Sequence, residues 1–352
     1  MRVSARFHRL RVAGVERLCA DAVAVTFEVP DELAPAFAFR PGQYLTLRQF
    51  VGGAEERRSY SICAPAGAPL RVGVRRVDSG LFSAWLVDRL VPGDEVEAAP
   101  PAGSFTPELT PGTHHGLIAA GSGITPVLSI AASVLAHPDT RVTLLYGNRR
   151  TDTVMFTEEL ADLKNSHGPR VQLVHVLSRE PTEAELFTGR LDATKLALLL
   201  GALVDVEDVD QWWLCGPLGM TTAAEAVLAG LGVERSRIHR ELFYVGEPPP
   251  EPVRAEHEAV DGSAVTVILN GRATTLLLPR TVSVLDGAQR VRGDLPFACK
   301  GGVCGTCRAK VTDGEIIMQR NFALEDDEVA AGFVLTCQAR VVSDAVTVDF
   351  DT

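Results

Sequence analysis

Leu295-Pro-Phe-Ala-Cys-Lys-Gly-Gly-Val-Cys-Gly-Thr-Cys307 places Cys299, Cys304 and Cys307 at C-x4-C-x2-C spacing, and Leu335-Thr336-Cys337-Gln338 supplies a fourth cysteine further on. Three thiolates on one loop and a fourth from a distant segment is the plant-type pattern for a 2Fe–2S cluster. The chemistry asks for this shape, because a tight loop must approach the bridging sulfides closely. Gly301, Gly302 and Gly305 leave that approach open and can aim N–H groups at sulfur. C-x2-C is also half of a zinc knuckle, but zinc sites usually pair two such short spacings, and here the second half is Cys337 alone. A chain built on such a cluster moves electrons singly.

Outward from the loop, the flanking residues read as a small α+β domain. Val265–Leu269, Asn270-Gly271 and Ala273–Leu278 make a hairpin with a type I′ turn signal. Thr281 or Ser283 starts a short helix through Val284, Leu285 and Ala288, while 308–311 and 341–350 read as strands. Glu325-Asp-Asp-Glu328 either offers a docking patch to a basic partner or sets acidic residues at the start of a helix, where the dipole favours them. Upstream, Gly246-Glu-Pro-Pro-Pro-Glu-Pro252 is compatible with neither helix nor central strand and reads as a semi-rigid extended spacer.

Before that spacer, from Gly116, strands and helices alternate. Expected strands are 117–120, 141–146, 171–177, 211–215 and 238–243, with helices at 127–136, 156–164, 192–200 and 220–231. Thr125 is the expected N-cap of the first helix and Pro126 its first residue. Repeated strand–helix units imply a parallel sheet covered on both faces, with ligands at the carboxyl ends of the strands. Gly121-Ser-Gly-Ile-Thr-Pro126, Gly147-Asn-Arg149-Arg150, Ser178-Arg179 and Cys215-Gly216-Pro217 fall at those ends. The first is not the G-x-G-x-x-G fingerprint. Arg149 and Arg179, with no carboxylate to hold a bare ribose, suit a phosphorylated ribose and therefore NADPH; the alternative is that both are ordinary solvated charges.

The first hundred or so residues read as an antiparallel β-barrel of short strands punctuated by Gly and Pro. Val23, Val25, Phe27 and Val29 alternate with smaller or polar residues, as on a half-buried strand. Arg58-Ser-Tyr60-Ser61-Ile62 is a strand with Arg58, Tyr60 and Ile62 on one face. Gly80-Leu-Phe-Ser83 opens a helix whose unpaired N–H groups could receive an anion.

The net charge of −11 argues against nucleic acid as the main partner. Seven cysteines in 352 residues do not read as a disulfide framework. The basic start lacks an apolar core and reads as a first strand, not a signal, and the most apolar run, 196–204, is far short of a bilayer span. The expectation is a soluble, cytoplasmic protein without a membrane partner. His114-His115 is expected in a loop as a solvated pair.

These parts, in this order, resemble the ferredoxin–NADP reductase superfamily with a C-terminal plant-type ferredoxin domain. The likeness spans nearly the whole chain and is nearest to reductase subunits of ring-1,2-phenylacetyl-CoA epoxidases. It implies an FAD-binding β-barrel at 1–110, an NADP-binding α/β domain at 111–245, a linker at 246–260 and a ferredoxin domain at 261–352. By the same resemblance Arg58 holds the FAD pyrophosphate, Tyr60 packs on the flavin and Ser61 lies near its N5. Gly80 and Ser83 match the second flavin-phosphate stretch, and Phe243 the segment that covers the flavin. Gly121, Thr125, Gly216 and Pro217 match the nicotinamide segments, Cys215 lies near the hydride path, and Ser178 and Arg179 stand where relatives hold the 2′-phosphate. The implied function is electron transfer from NADPH through FAD and the 2Fe–2S cluster to an oxygenase component, a multisubunit di-iron epoxidase of phenylacetate degradation. Reductases of steroid ring hydroxylases and of the hybrid-cluster protein share this domain order. Outside that class stand a quinone or ferric reductase with no protein acceptor and a redox-sensing protein.

Overall fold

The computed structural model describes residues 7–78, 80–244 and 262–352. The proline-rich spacer, 246–252, and the basic start, 1–6, lie outside the described residues. The chain divides into two compact units, one mainly of residues 8–56 and 60–245, the other mainly of 246–352.

The first unit opens with a six-stranded antiparallel sheet. In chain order its elements are β1 His8–Cys19, β2 Ala22–Glu28, the short helix α1 Ala34–Phe37, β3 Tyr44–Val51, β4 Ala54–Ser61, β5 Arg71–Arg75, α2 Leu81–Asp88 and β6 Glu95–Ala98. The strand order is β4-β3-β6-β1-β2-β5, and a bridge between Ile62 and Val72 joins the two edges into a barrel. The alternation in β2 has a two-sided cause. Val23, Val25 and Phe27 fill the barrel, while Ala22 and Ala24 pack into the core of the following domain, which leaves room for little more than a methyl group.

The rest of this unit is β7 His114–Ala120, α3 Ile124–Leu135, β8 Arg141–Asn148, α4 Thr157–His167, β9 Val171–Leu177, α5 Ala193–Leu203, β10 Gln211–Pro217, α6 Leu218–Gly230 and β11 Ile238–Tyr244. The sheet is parallel throughout, in the order β11-β10-β7-β8-β9. Leu117 and Ala119 of β7 face the core shared with α3 and α4, and Ile118 faces the core shared with α5 and α6, so both faces are covered as expected. Asp192 caps α5 by accepting from Lys195 N at 2.9 Å.

Two local readings need correction. Thr125 is not an N-cap: a 3-10 turn over Gly121–Gly123 leads into α3, Gly123 is the cap, and the Thr125 hydroxyl donates to Ser122 O at 3.0 Å. His114 and His115 belong to β7 and are buried. His114 lies 3.0 Å from both Asp208 and Thr143, and His115 Nδ1 accepts from Trp213 Nε1 at 3.2 Å. A strand that begins earlier than its apolar residues carried the pair inside, where burial lowers the His115 pKa to about 4.

The second unit holds β12 Gly262–Leu269, β13 Arg272–Pro279, α7 Val284–Ala288, β14 Arg308–Asp313, β15 Ile316–Met318, α8 Asp326–Ala330, β16 Phe333–Leu335, β17 Ala339–Val341 and β18 Ala345–Asp349. The main sheet runs β13-β12-β18-β14-β16, parallel only between β12 and β18, with β15 and β17 as a separate pair. Asn270 and Gly271 both have positive φ, 54° and 69°, as a type I′ turn requires. Ser283 caps α7. The expected strand over 341–350 is instead the end of β17, a turn, and β18, while β15 and β16 are too short to show a period. Glu325 and Glu328 form a capping box on α8, which favours the helix-start reading of that acidic run.

Candidate functional site

In the second unit the cysteines lie in two pairs. Hydrogen bonds link Cys299 with Cys304, and Cys307 with Cys337. Cys299 Sγ also accepts from Gly301 N at 3.3 Å and Cys304 N at 3.4 Å. The bond from Cys304, with these amides, pulls the Cys299 pKa down, and the same bond, then burial, pushes Cys304 up. Cys307 is raised by its bond with Cys337 and by burial. Two pairs of sulfurs, one bathed in N–H donors, fit a binuclear cluster that takes two thiolates at each iron.

The loop bends where its backbone requires it. Gly302 has φ 78°, and a Cβ there would stand 3.0 Å from Gln338 Cγ and 3.1 Å from Arg320 O. Thr336 fastens the fourth-cysteine segment by donating to Cys307 O from its N–H, at 3.1 Å, and from its hydroxyl, at 2.9 Å.

β4 carries Arg58, Tyr60 and Ser61. Arg58 is exposed, with Nη1 donating to Arg57 O at 2.7 Å. The Tyr60 ring meets Phe82 of α2 edge-on, centroids 6.0 Å apart. Gly80 is the N-cap of α2; the Ser83 hydroxyl accepts from Val77 N at 3.1 Å and contacts Gly80 O at 3.3 Å, so it shapes the helix start.

Ser61 is buried, and its hydroxyl donates to Glu241 Oε2 at 3.2 Å. Glu241 is paired in register with Cys215 on the neighbouring parallel strand. Part of Glu241 remains accessible, yet its carboxyl is desolvated, and burial pushes its pKa up to about 8 against the opposing bond from Ser61. Cys215 is fully buried, which pushes its thiol pKa well up. The chain therefore brings a hydroxyl, a carboxyl that is protonated at neutral pH and a neutral thiol to one place. Phe243, two residues beyond Glu241, is exposed at the end of β11.

Gly123 lies against the other side of Cys215, where a Cβ would stand 2.2 Å from Cys215 O and 2.9 Å from Gly216 N. Only glycine lets the β7–α3 turn approach the end of β10 so closely. Gly121 leads this turn and Thr125 is buried behind it, while Gly216 and Pro217 end β10.

At the ends of β8 and β9 the backbones stay paired. Ser178 N donates to Asn148 O at 2.9 Å and Arg179 N to Arg149 O at 2.8 Å, so the exposed residues Arg149 and Arg179 are neighbours. A carboxylate does stand here, contrary to the sequence reading. Glu180 accepts from Thr151 N at 2.8 Å and Thr151 Oγ1 at 3.0 Å, one bond on each oxygen, and these bonds hold its pKa below the usual range.

Two features escaped the sequence reading. Glu241 carries no signal of its own in the sequence, because it stands in the mixed strand Ile238-His-Arg-Glu-Leu-Phe243 beside His239 and Arg240. β5 also ties the barrel to the parallel-sheet domain: Arg71 donates to Glu159 at 2.9 Å, and Arg75 donates to Thr153 O while pairing with Asp21 at 3.3 Å.

Three family models match in order: an oxidoreductase FAD-binding domain over residues 9–106, an oxidoreductase NAD-binding domain over 117–226 and a 2Fe–2S iron–sulfur cluster binding domain over 267–342. A subunit of the 1,2-phenylacetyl-CoA epoxidase from Escherichia coli K12 is 42% identical over 350 residues, 98% of each chain. The chain belongs to the ferredoxin–NADP reductase-like superfamily, with a C-terminal 2Fe–2S ferredoxin domain. Another member, the ferredoxin reductase component of 3-ketosteroid-9-alpha-monooxygenase from Rhodococcus rhodochrous, is 35% identical, covering 97% of this chain and 96% of the relative. The fold of phthalate dioxygenase reductase matches with a TM-score of 0.61 at 24% identity, over 98% of each chain. As a member of this superfamily the protein is an NAD(P)H-, FAD- and 2Fe–2S-dependent electron-transfer oxidoreductase. Among the described residues no helix is long and apolar enough to cross a membrane.

Proposed function

We propose that this protein is the NADPH-dependent reductase component of a di-iron oxygenase, an epoxidase acting on phenylacetyl-CoA in phenylacetate degradation, and that it works in the cytoplasm. The observation that carries the reading is end-to-end likeness, 42% against 35% for the steroid-system relative, with coverage of 98% in both directions for the former. FAD accepts a hydride as a pair and gives up electrons one at a time, and a 2Fe–2S cluster accepts them singly, so the protein's work is placement.

On this reading Cys299, Cys304, Cys307 and Cys337 hold the cluster. Arg58 meets the FAD pyrophosphate and Tyr60 lines the flavin face, with Gly80 and Ser83 shaping the second phosphate contact and Phe243 covering the ring. Gly121, Thr125, Gly216 and Pro217 shape the nicotinamide cleft. Ser61, Cys215 and Glu241 line the hydride path; the raised pKa of Glu241 lets it hold a proton at neutral pH, where it can donate or accept through Ser61. Arg149, Ser178 and Arg179 receive the 2′-phosphate, and Glu180 beside them is turned toward Thr151 by one bond on each oxygen. The cluster-bearing residues 261–352 and the flavin and nucleotide residues 1–245 form separate functional parts joined by the spacer.

Reconstitution tests the reading. The protein, NADPH and a purified di-iron phenylacetyl-CoA epoxidase should form epoxide at a rate proportional to reductase. Support of a steroid hydroxylase oxygenase but not of the epoxidase would move the protein to that system; NADPH oxidation at full rate by quinone, with neither oxygenase served, would remove the protein partner.

A further inference from the structure

Gln338 follows the fourth cysteine directly and is only 3% exposed. Its Nε2 faces three acceptors: Lys300 O at 2.8 Å, Cys337 O at 3.1 Å and Cys337 Sγ at 3.8 Å. Because all three neighbours accept, the amide orientation is fixed by chemistry, with nitrogen toward them. One N–H serves the Lys300 carbonyl; the other is shared between the Cys337 carbonyl and its sulfur.

Both ends of this connection are themselves held. Lys300 has a left-handed backbone, φ 52°, and its Nζ is tied to Asp286 Oδ1 and Gln289 Oε1, each at 2.8 Å. Gln338 N donates to Leu335 O at 2.8 Å, and Gln338 O accepts from Gln319 N at 2.9 Å. Gly302 packs on the Gln338 stem. The side chain therefore joins two segments that are far apart in sequence and that each supply cysteines.

We propose that Gln338 is a positioning residue for the cluster: it ties the three-cysteine loop to the fourth cysteine and gives the Cys337 sulfur a hydrogen-bond donor that raises the reduction potential. The inference rests on the assignment of Cys337 as a ligand. The physical reason is that reduction adds negative charge to the cluster and its sulfurs, and a donor aimed at sulfur stabilises the reduced form more than the oxidised one.

The test is the midpoint potential of the cluster in the full chain, read by its electron paramagnetic resonance signal, together with iron and acid-labile sulfide content. Gln338→Met keeps length and removes the donor; Gln338→His returns a ring N–H at similar reach. The Met variant should shift the reduction equilibrium roughly tenfold toward the oxidised form, equivalent to about 59 mV for one electron, and the His variant should recover most of that shift. Unchanged potentials in both variants at full iron content would overturn the inference, as would a His variant as low as the Met variant. If the Met variant cannot retain iron while the His variant does, the donor is still what matters; if neither retains it, amide shape and not donation is the requirement, and the inference fails. Wild-type protein with no iron–sulfur signal after anaerobic handling would instead refute the ligand assignment itself.

Discussion

The three-cysteine loop and the Ser61–Glu241–Cys215 cluster, proposed to hold the iron–sulfur cluster and to line the flavin–nucleotide cleft, are built by opposite means. In the loop, three of the four sulfurs sit between Cys299 and Cys307, and one of them is satisfied by amides two and five residues away. In the cleft, Ser61 meets Glu241 across 180 residues of chain, with Cys215 brought alongside by a parallel strand pair. The loop is a local object stapled to one distant segment, whereas the cleft exists only once a barrel and a parallel sheet have packed. Damage to the first should remove a cofactor outright, while damage to the second should shift affinities, rates and pH dependence.

The largest expected effect is on the loop side. Cys304→Ser should yield protein without the iron–sulfur spectrum, with electron delivery to a protein oxygenase reduced to background. NADPH oxidation by ferricyanide, which draws on the other unit, should persist in substantial part. Equal loss of both activities would mean that the two regions do not work separately.

Gly123→Val is the corresponding blow to the cleft. Its side chain must displace backbone at Cys215 and Gly216, not a flexible side chain. Overpacking of this kind costs about 1–3 kcal/mol, read as a lowered Tm, and the KM for nucleotide should rise with it. Unchanged stability would show that the turn gives way.

Arg179→Ala sharpens the comparison at one strand end. A charge-assisted bond to phosphate is worth about 1.5–3 kcal/mol, so KM for NADPH should rise roughly 10- to 100-fold, with little change for NADH. Equal changes for both nucleotides would take phosphate reading away from Arg179 and leave Arg149 as the residue to test.

The smallest effect is a slope. The folded pKa of Glu241, about 8, lies above the ordinary carboxylate value near 4.5. Between these values the folded protein binds more protons than the unfolded chain, so stability falls as pH rises through this window. Glu241→Gln should flatten that fall, measured as Tm against pH from about 5 to 8. An identical slope in the variant would place the Glu241 carboxyl in water.

Much of this was legible in the sequence because it is local. Cysteine spacing announced a 2Fe–2S cluster, and Asn270-Gly271 announced a turn with positive φ. Strand–helix alternation from Gly116 announced a parallel sheet. The misreadings were also local rules overruled from afar. His114-His115 looked like a polar loop, but Asp208, Thr143 and Trp213 supply partners that make burial tolerable. Thr125 had the chemistry of a cap, yet the turn over Gly121–Gly123 moved the helix start ahead of it.

The sequence by itself determined the order of the three parts, the strand and helix periods, and a cysteine spacing that three residues of one loop must satisfy together. These are short-range facts, fixed by side-chain type and by the reach of a few peptide units. Only the tertiary structure decided that Ala22 and Ala24 face a second core, that Arg149 and Arg179 stand side by side, and that Glu241 meets Ser61 beside Cys215. It also decided that Glu241 holds its proton near neutrality. The physical reason is desolvation: a carboxyl's pKa depends on how much water its neighbours exclude, and those neighbours arrive from the far end of the chain.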